Sequence, residues 1–291
     1  MLYIKQLVTT ITQQLQPLYD KREAAAIANL YVQTKFGMQR YELALRGQEQ
    51  VEDVKIDEIK RDVEKLMQGC PVQYVLGETE FYGLLFKVNP AVLIPRQETE
   101  ELVQMLEAQC KGKRVKIWDV GTGSGCIAVT LAKMLPDADV FATDVSEDAL
   151  QLARRNAELN SVEVTFARHD MRDTEHLPFD GVHFDVIVSN PPYIPASDRN
   201  SMHCNVTDFE PSLALFVPDD DKLWCYEALA QLGHHVLNAE GRVYVETYHD
   251  FHEEIKEIFR QHGMQEIQSV KDLNGHPRFI SAKSQLLMAN C

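Results

Sequence analysis

Apolar positions in the opening stretch of the chain recur every three or four residues, a spacing that places them on one face of a helix. An alanine-rich stretch then runs from Glu23 to Phe36 and meets Gly37, a residue type that favours helix ends. We therefore predict a small bundle of helices over about the first 70 residues. The apolar positions behind this prediction are Ile4, Leu7, Val8, Ile11, Leu15, Leu18, Ile56, Ile59, Val63, Leu66 and Met67.

The pattern changes between Gln73 and Ile94. Tyr, Phe, Val and Leu dominate this stretch, and two glycines and a proline interrupt it. Aromatic and β-branched residues between turn formers are typical of short strands. We predict a β-hairpin connector over residues 73–96.

From residue 97 onward, short apolar runs alternate with amphipathic stretches of helical length, which is typical of a doubly wound α/β fold. The predicted strands cover residues 115–120, 140–143, 164–167, 185–189, 242–246, 266–270 and 278–282. The predicted helices cover residues 98–109, 126–135, 147–159, 222–237 and 251–263. We expect the last strand, which follows the turn Asn274-Gly275, to close the sheet edge antiparallel to residues 266–270. The result is a mostly parallel, seven-stranded, Rossmann-like sheet in a domain spanning residues 97–291, after a helical domain spanning residues 1–72.

A glycine-rich turn, Gly121-Thr-Gly-Ser-Gly125, follows the first strand of this sheet. Glycines allow a tight turn and bring the backbone close to a ligand, and ligands bind at the carboxyl edge of such sheets. Asp144 ends the next strand, where its carboxylate can accept both hydroxyls of a ribose. Cys126 breaks the dinucleotide-binding fingerprint, so a cofactor without a pyrophosphate, such as S-adenosylmethionine, is favoured. The alternative is a plain strand-to-helix turn without a ligand.

The predicted cofactor contacts include one residue after the third strand, in the sequence Arg168-His-Asp-Met171. The thioether of Met171 is expected either to pack on the purine or to fill core space. The full set of predicted contacts is Gly121, Thr122, Gly123, Ser124, Gly125, Asp144, Met171 and Asn190.

The sequence Asn190-Pro-Pro-Tyr193 follows the fourth predicted strand. Pro191 and Pro192 fix the backbone and have no N–H group. We expect the side-chain oxygen of Asn190 and the carbonyl of Pro191 each to accept one N–H of a planar –NH2 group, with the ring of Tyr193 against its plane. Two fixed acceptors would aim a weakly nucleophilic nitrogen and stabilise the positive charge that develops on it. No separate general base is predicted, and the alternative is an ordinary turn.

Composition narrows the classes of function. The chain has 29 Lys and Arg against 44 Asp and Glu, a formal charge of −15, which disfavours direct nucleic acid binding. Its six cysteines form neither a C-x-x-C pair nor a zinc-finger spacing with histidine, so we expect no metal site and free thiols. The N-terminus carries no secretory or membrane-spanning stretch. We predict a cytoplasmic location without membrane attachment.

Several segments resemble the release factor glutamine methyltransferase family (HemK/PrmC type), and they flank a tetrapeptide that amino-methyltransferases of adenine, cytosine and protein glutamine share. These segments are residues 71–77 (PVQYVLG), 81–84 (FYGL), 88–89 (VN), 92–100 (VLIPRQETE), 209–215 (FEPSLAL) and 271–275 (KDLNG). Gln97 departs from the family's usual proline, and Met171 stands where the family often has tryptophan.

The resemblance implies a methyltransferase sheet, S-adenosylmethionine as cofactor and S-adenosylhomocysteine as product. It implies as substrate the glutamine of the Gly-Gly-Gln loop in class 1 peptide chain release factors. Residues 190–193 would hold this glutamine, whereas residues 121–125, Asp144 and Asn190 would contact the cofactor. The helical N-terminal domain would help to dock the release factor.

Three charged residues near these segments receive separate expectations. Arg96 and Glu98 either shape the cofactor pocket or form an ordinary helix-capping and surface pair. Glu210 is expected to be a solvated loop carboxylate rather than part of a loop over the substrate.

Three other functions compete with the predicted one. A ribosomal-protein glutamine methyltransferase would share the tetrapeptide. An adenine-N6 nucleic acid methyltransferase would need a basic recognition region, which the charge of −15 disfavours. A non-enzymatic binding protein would not need the intact glycine turn, Asp144 and tetrapeptide.

Overall fold

The computed structural model describes residues 2–285, so residue 1 and residues 286–291 of the predicted domains lie outside the described residues. The helices are α1 (Ile4–Leu15), α2 (Lys21–Phe36), α3 (Arg40–Arg46), α4 (Asp53–Met67), α5 (Val72–Leu76), α6 (Gln97–Cys110), α7 (Cys126–Met134), α8 (Glu147–Leu159), α9 (Cys204–Thr207), α10 (Ser212–Leu215), α11 (Trp224–Val236) and α12 (His252–Gln261). The strands are β1 (Glu78–Phe81), β2 (Leu84–Lys87), β3 (Lys116–Val120), β4 (Asp139–Asp144), β5 (Thr165–Arg168), β6 (Phe184–Ser189), β7 (Ile194–Pro195), β8 (Phe216–Val217), β9 (Leu237–Glu246), β10 (Gln265–Lys271) and β11 (Pro277–Lys283).

The chain forms two compact units. One unit contains the chain up to Glu78 together with the distant segment His203–Phe209. The other contains Thr79–Met202 and the described chain from Glu210 onward. Within residues 2–285, no helix has the length and apolar character that a membrane crossing requires.

The helical unit follows the predicted amphipathic pattern. Asp20 caps α2 by accepting hydrogen bonds from the backbone N–H groups of Arg22 at 2.7 Å and Glu23 at 2.9 Å. Gly37 ends α2 with a φ of 61°, in the left-handed region that glycine adopts without a steric cost, which confirms the predicted end of this helix. The core of the unit includes Ile4, Leu7, Ile11, Leu15, Ala24, Ala28, Val32, Ile59, Val63 and Leu66.

Residues 73–76 are helical, whereas the sequence predicted extended structure from residue 73. Pro71 is the N-cap of α5, and its carbonyl accepts hydrogen bonds from the backbone N–H groups of Tyr74 at 3.0 Å and Val75 at 3.1 Å. Gly77 ends the helix with a φ of 74°. These two end signals outweigh the strand preference of the Val and Tyr residues between them, and the predicted hairpin is confined to β1 and β2.

The second unit is built around a seven-stranded sheet with the order β10-β11-β9-β6-β3-β4-β5. The five strands from β9 to β5 pair in parallel, and β11 pairs antiparallel with both of its neighbours, β9 and β10. The chain runs outward from β3 to β5 and then returns to place β6 on the other side of β3. This reversal creates the point at which doubly wound sheets bind ligands.

Side chains alternate between the two faces of the sheet. Ile117 packs with α6, α7 and α8 on one face, whereas its neighbour Trp118 packs with α11 and α12 on the other. Helices therefore cover both faces, and the predicted doubly wound, mostly parallel, seven-stranded sheet is confirmed.

The edge of the sheet differs from the expectation. β11 pairs antiparallel with β10 as predicted, but it lies between β10 and β9, and β10 forms the edge. Burial accounts for this order, because Phe279, Ile280 and Ala282 of β11 are almost completely buried, whereas β10 is mostly exposed or half-buried.

Helix α11 packs closely on β9 at Gly233. A Cβ atom at this position would overlap the end of Met264 and would lie 2.9 Å from Cγ2 of Val243. The flexible end of Met264 can move aside, but the branched side chain of Val243 in the sheet cannot do so easily.

We expect Gly233→Ala to lower the free energy of unfolding by about 1–3 kcal/mol through overpacking, although alanine is the better helix former. Urea unfolding followed by circular dichroism measures this change. The exposed Glu227 of the same helix provides the control, since Glu227→Ala should change the free energy of unfolding by less than about 0.5 kcal/mol. A Gly233→Ala protein as stable as the wild type would contradict the close packing.

Candidate active site

The glycine turn connects β3 to α7 and takes conformations that few other residues adopt. Gly121, Gly123 and Gly125 have φ values of 77°, 54° and 81°. The backbone N–H groups of Gly121 and Thr122 both donate to the carbonyl of Thr143 on β4, at 2.9 and 2.8 Å. The turn is therefore fixed to the neighbouring strand.

Two of these glycines serve different purposes. A Cβ atom at Gly125 would lie 3.1 Å from Cβ of Ala153 on α8, so this glycine allows α7 and α8 to approach closely. A Cβ atom at Gly123 would meet no atom within 4 Å and would occupy open space beside a cavity. The absence of a side chain there leaves room for a ligand against the backbone.

The buried carboxylate of Asp119 holds the turn through hydrogen bonds. Its Oδ2 accepts hydrogen bonds from Oγ1 of Thr122 at 2.6 Å and from the N–H of Ala128 at 3.2 Å. Burial raises the pKa of Asp119 to about 7, against the lowering effect of these hydrogen bonds. The sequence analysis missed this residue, although a carboxylate inside an otherwise apolar strand is a signal for it.

Asp144 ends β4 and uses both carboxylate oxygens to hold the backbone around it. Oδ2 accepts from the N–H of Gly123 at 2.8 Å, and Oδ1 accepts from the N–H of Ser146 at 2.9 Å. A carboxylate has about four acceptor positions, so these two hydrogen bonds do not use all of them. Burial raises the pKa of Asp144, since its hydrogen bonds compensate only partly for lost hydration.

A cavity of about 390 Å³ lies at this edge of the sheet. Most of the predicted contacts line it: Gly121, Thr122, Gly123, Ser124, Asp144, Met171, Asn190 and Pro192. Gly125, Pro191 and Tyr193 lie outside its wall. The apolar part of the lining includes Val120, Val145, Leu213 and Trp224. Asp148 and Asp170 line the cavity as well as Asp144, so it combines carboxylates and a polar turn with an apolar wall.

The tetrapeptide begins directly after β6. Oγ of Ser189 donates to the carbonyl of Val120 at 2.6 Å and joins the ends of β6 and β3. Nδ2 of Asn190 donates to Oγ1 of Thr99 on α6 at 3.0 Å. Pro191 is buried, and Tyr193 is half-buried. The structure therefore brings the predicted catalytic residues to the same sheet edge as the glycine turn.

Glu246 connects the two ends of the tetrapeptide. Its Oε2 accepts from Oγ1 of Thr99 at 2.8 Å, and its Oε1 accepts from the hydroxyl of Tyr193 at 3.2 Å. Only 1% of its surface is exposed, and this burial raises its pKa to about 7. The sequence analysis assigned no role to Thr99 or Glu246, although Glu246 is a carboxylate at the end of an apolar strand.

Glu210 contradicts the expectation of a solvated carboxylate, since only 5% of its surface is exposed. Its Oε1 lies 2.6 Å from the guanidinium of Arg96, and its Oε2 accepts from the N–H of Ile94 at 3.1 Å. The buried carboxylate is thus paired with a cation and a backbone donor, which offset the cost of burial. Arg96 also lines the cavity, whereas Glu98 lies in the first turn of α6.

Among residues 2–285, no group of three or more His, Cys, Asp or Glu side chains is arranged to hold a metal ion.

Comparisons with known proteins match both parts of the chain. The family model of the methyltransferase small domain matches residues 97–206, and that of the PrmC N-terminal domain matches residues 6–77. A solved structure of a methyltransferase from Pyrococcus furiosus covers 81% of this chain and 100% of its own, with a TM-score of 0.50 and 18% identity. That likeness supports the fold alone.

Two curated relatives align with nearly the whole chain. A release factor glutamine methyltransferase from Flavobacterium psychrophilum is 38% identical over 281 residues, which cover 95% of this chain and 98% of the relative. A protein of the same name from Bacteroides thetaiotaomicron is 37% identical over 272 residues, covering 94% of this chain and 97% of the relative. With this identity over almost the full length, and with both family models matched, the chain belongs to the release factor glutamine methyltransferase family.

Proposed function

We propose that this protein transfers a methyl group from S-adenosylmethionine to the side-chain amide nitrogen of the glutamine in the Gly-Gly-Gln motif of class 1 peptide chain release factors, in the cytoplasm. The observation that carries the proposal is the position of Asn190-Pro-Pro-Tyr193 beside the cavity that the glycine turn and Asp144 line. Membership of the family supports the choice of a protein glutamine as substrate.

The cavity fits the proposed cofactor in three respects. Asp144 keeps free acceptor positions for the two ribose hydroxyls. Gly123 leaves the backbone at the cavity edge uncovered. The apolar wall beside Met171 offers a surface for a purine. When bound there, S-adenosylmethionine supplies an electrophilic methyl group.

The tetrapeptide would act on the substrate through two acceptors. The oxygen of the Asn190 side chain and the carbonyl of Pro191 would each accept one N–H of the glutamine amide, and the ring of Tyr193 would limit its tilt. An amide nitrogen is a poor nucleophile because its lone pair is delocalised. Fixed acceptors hold it in the reactive direction and stabilise the positive charge that develops on it. The proton becomes acidic only after attack, so it can leave to water without a strong base.

The first prediction concerns substrate choice. Labelled S-adenosylmethionine should methylate purified release factor on its Gly-Gly-Gln peptide, as peptide mass mapping will show, and it should leave a ribosomal protein mixture and double-stranded DNA unlabelled. Loss of one fixed acceptor in Asn190→Ala should lower kcat by about 100- to 1,000-fold. The exposed Asn200 gives the matched control, and Asn200→Ala should keep wild-type activity.

Each other labelling pattern points to a different function. Label on ribosomal protein alone would identify a ribosomal protein as the substrate and would leave the proposed amide chemistry unchanged. Label on DNA alone would overturn the protein substrate. Full activity of Asn190→Ala on release factor would remove the proposed role of the tetrapeptide.

The second prediction concerns the cofactor. Asp144→Ala should weaken S-adenosylmethionine binding by about 10- to 100-fold, because hydrogen bonds to a charged acceptor are lost. Isothermal titration calorimetry measures this change directly, without catalysis. Asp139 is exposed at the other end of the same strand, and Asp139→Ala should leave the affinity unchanged. Equal affinities of the Asp144→Ala and wild-type proteins would place the ribose elsewhere.

A further inference from the structure

The side chains of Thr99, Glu246 and Asn190 form a hydrogen-bonded chain that ends at the cavity. Oγ1 of Thr99 lies 2.8 Å from Oε2 of Glu246 and 3.0 Å from Nδ2 of Asn190. Thr99 and Glu246 are only 2% and 1% exposed, so water competes little for these hydrogen bonds. Thr99 and Glu246 are 147 positions apart in the sequence, and the fold alone brings them together.

When Glu246 is ionised, the number of available hydrogens decides which group donates and which accepts in each of these hydrogen bonds. In its ionised form the Glu246 carboxylate is an acceptor only, and it takes the single hydroxyl hydrogen of Thr99. The oxygen of Thr99 can then only accept from Asn190, which must present its –NH2 group to it. The side-chain oxygen of Asn190 is thereby turned away from Thr99. The acceptor that an amide substrate requires is left free.

The same carboxylate holds the other end of the tetrapeptide. Oε1 of Glu246 accepts from the hydroxyl of Tyr193 at 3.2 Å. The parallel register places Ser189 opposite Val245, so the residues that follow them at the strand ends are Asn190 and Glu246. Strand pairing and side-chain hydrogen bonds therefore act on the tetrapeptide together.

We infer that Thr99 and Glu246 are positioning residues for amide methylation: they set the orientation of the Asn190 side chain so that its oxygen, and not its –NH2 group, receives the substrate nitrogen. The inference rests on the proposed function, since it concerns how the same tetrapeptide holds an amide. Without this constraint the Asn190 amide could rotate by half a turn and present two donors to a substrate –NH2 group, which would repel it.

The energetics of Glu246 favour a functional role over a stabilising one. A buried carboxylate loses much hydration free energy, and apolar residues in its place often leave a fold as stable or more stable. Burial raises the pKa of Glu246, and hydrogen bonding from Thr99 and the charge of Arg278 lower it only in part. Buried ionisable groups of this kind concentrate at functional sites.

Two substitutions at Thr99 separate positioning from packing. Thr99→Val keeps the shape but removes the hydroxyl, so Asn190 loses its acceptor and is free to rotate. We expect kcat for methylation of release factor to fall by about 10- to 100-fold, while KM and the Kd of S-adenosylmethionine change by less than about threefold. Thr99→Ser restores the hydroxyl and should recover most of kcat.

A second buried threonine provides the matched control. Thr130 on α7 is fully buried, and its hydroxyl has no hydrogen-bond partner. Thr130→Val should keep the wild-type kcat, which excludes a general effect of replacing a buried threonine by valine. Thermal unfolding of each variant checks that the fold is intact.

The outcomes distinguish this inference from the proposed function. The wild-type protein is measured first. If it fails to label release factor, the result counts against the proposed substrate alone. The variants are then measured on whichever amide substrate the wild-type protein labels. A wild-type kcat in Thr99→Val would overturn the positioning role. So would equal losses of kcat in Thr99→Ser and Thr99→Val, or a parallel loss of S-adenosylmethionine affinity. If the wild type labels no amide, the inference is overturned together with the proposed function.

Discussion

The register of the central parallel strands is the constraint on which the site depends. Val120 of β3 pairs with Thr143 of β4, and Ser189 of β6 pairs with Val245 of β9. The residues that follow these pairs therefore emerge together at one edge of the sheet. A shift of a single residue would turn every side chain of a strand to the opposite face. The glycine turn, Asp144 and the tetrapeptide lie together because the pairing of the strands fixes their positions.

Much of the fold follows from local sequence signals. The periodicity of residues 147–159 predicts α8 with its observed bounds, and Gly37 marks the end of α2. Local signals fail where two preferences compete, as between Pro71 and Gly77, where strand-forming residues adopt a helix. They also fail for the order of the last two strands, because that order depends on burial against distant helices.

Some residues of the site can likewise be predicted from local sequence signals, and others cannot. Consecutive residues such as 121–125 and 190–193 can be recognised from the sequence, because each forms a turn of defined shape. Glu210 and Glu246 cannot be understood without their partners, which lie 114 and 147 positions away. A carboxylate in a sequence is ordinarily assigned to the surface. The burial of Glu210 and Glu246 is explained only by the folded structure, in which Arg96 pairs with Glu210 and Thr99 donates to Glu246.

The segment His203–Phe209 limits how far the helical unit can be treated as a detachable module. It leaves the sheet-containing unit shortly after the tetrapeptide, and in the helical unit His203 stacks on Tyr19 with ring centres 5.5 Å apart. A Cβ atom at Gly69 would lie 3.7 Å from the ring of Phe209. A shortened protein beginning after Glu78 would therefore carry an unsupported segment that follows the tetrapeptide closely in the sequence. Domain exchange between relatives would have to move both pieces of the chain together.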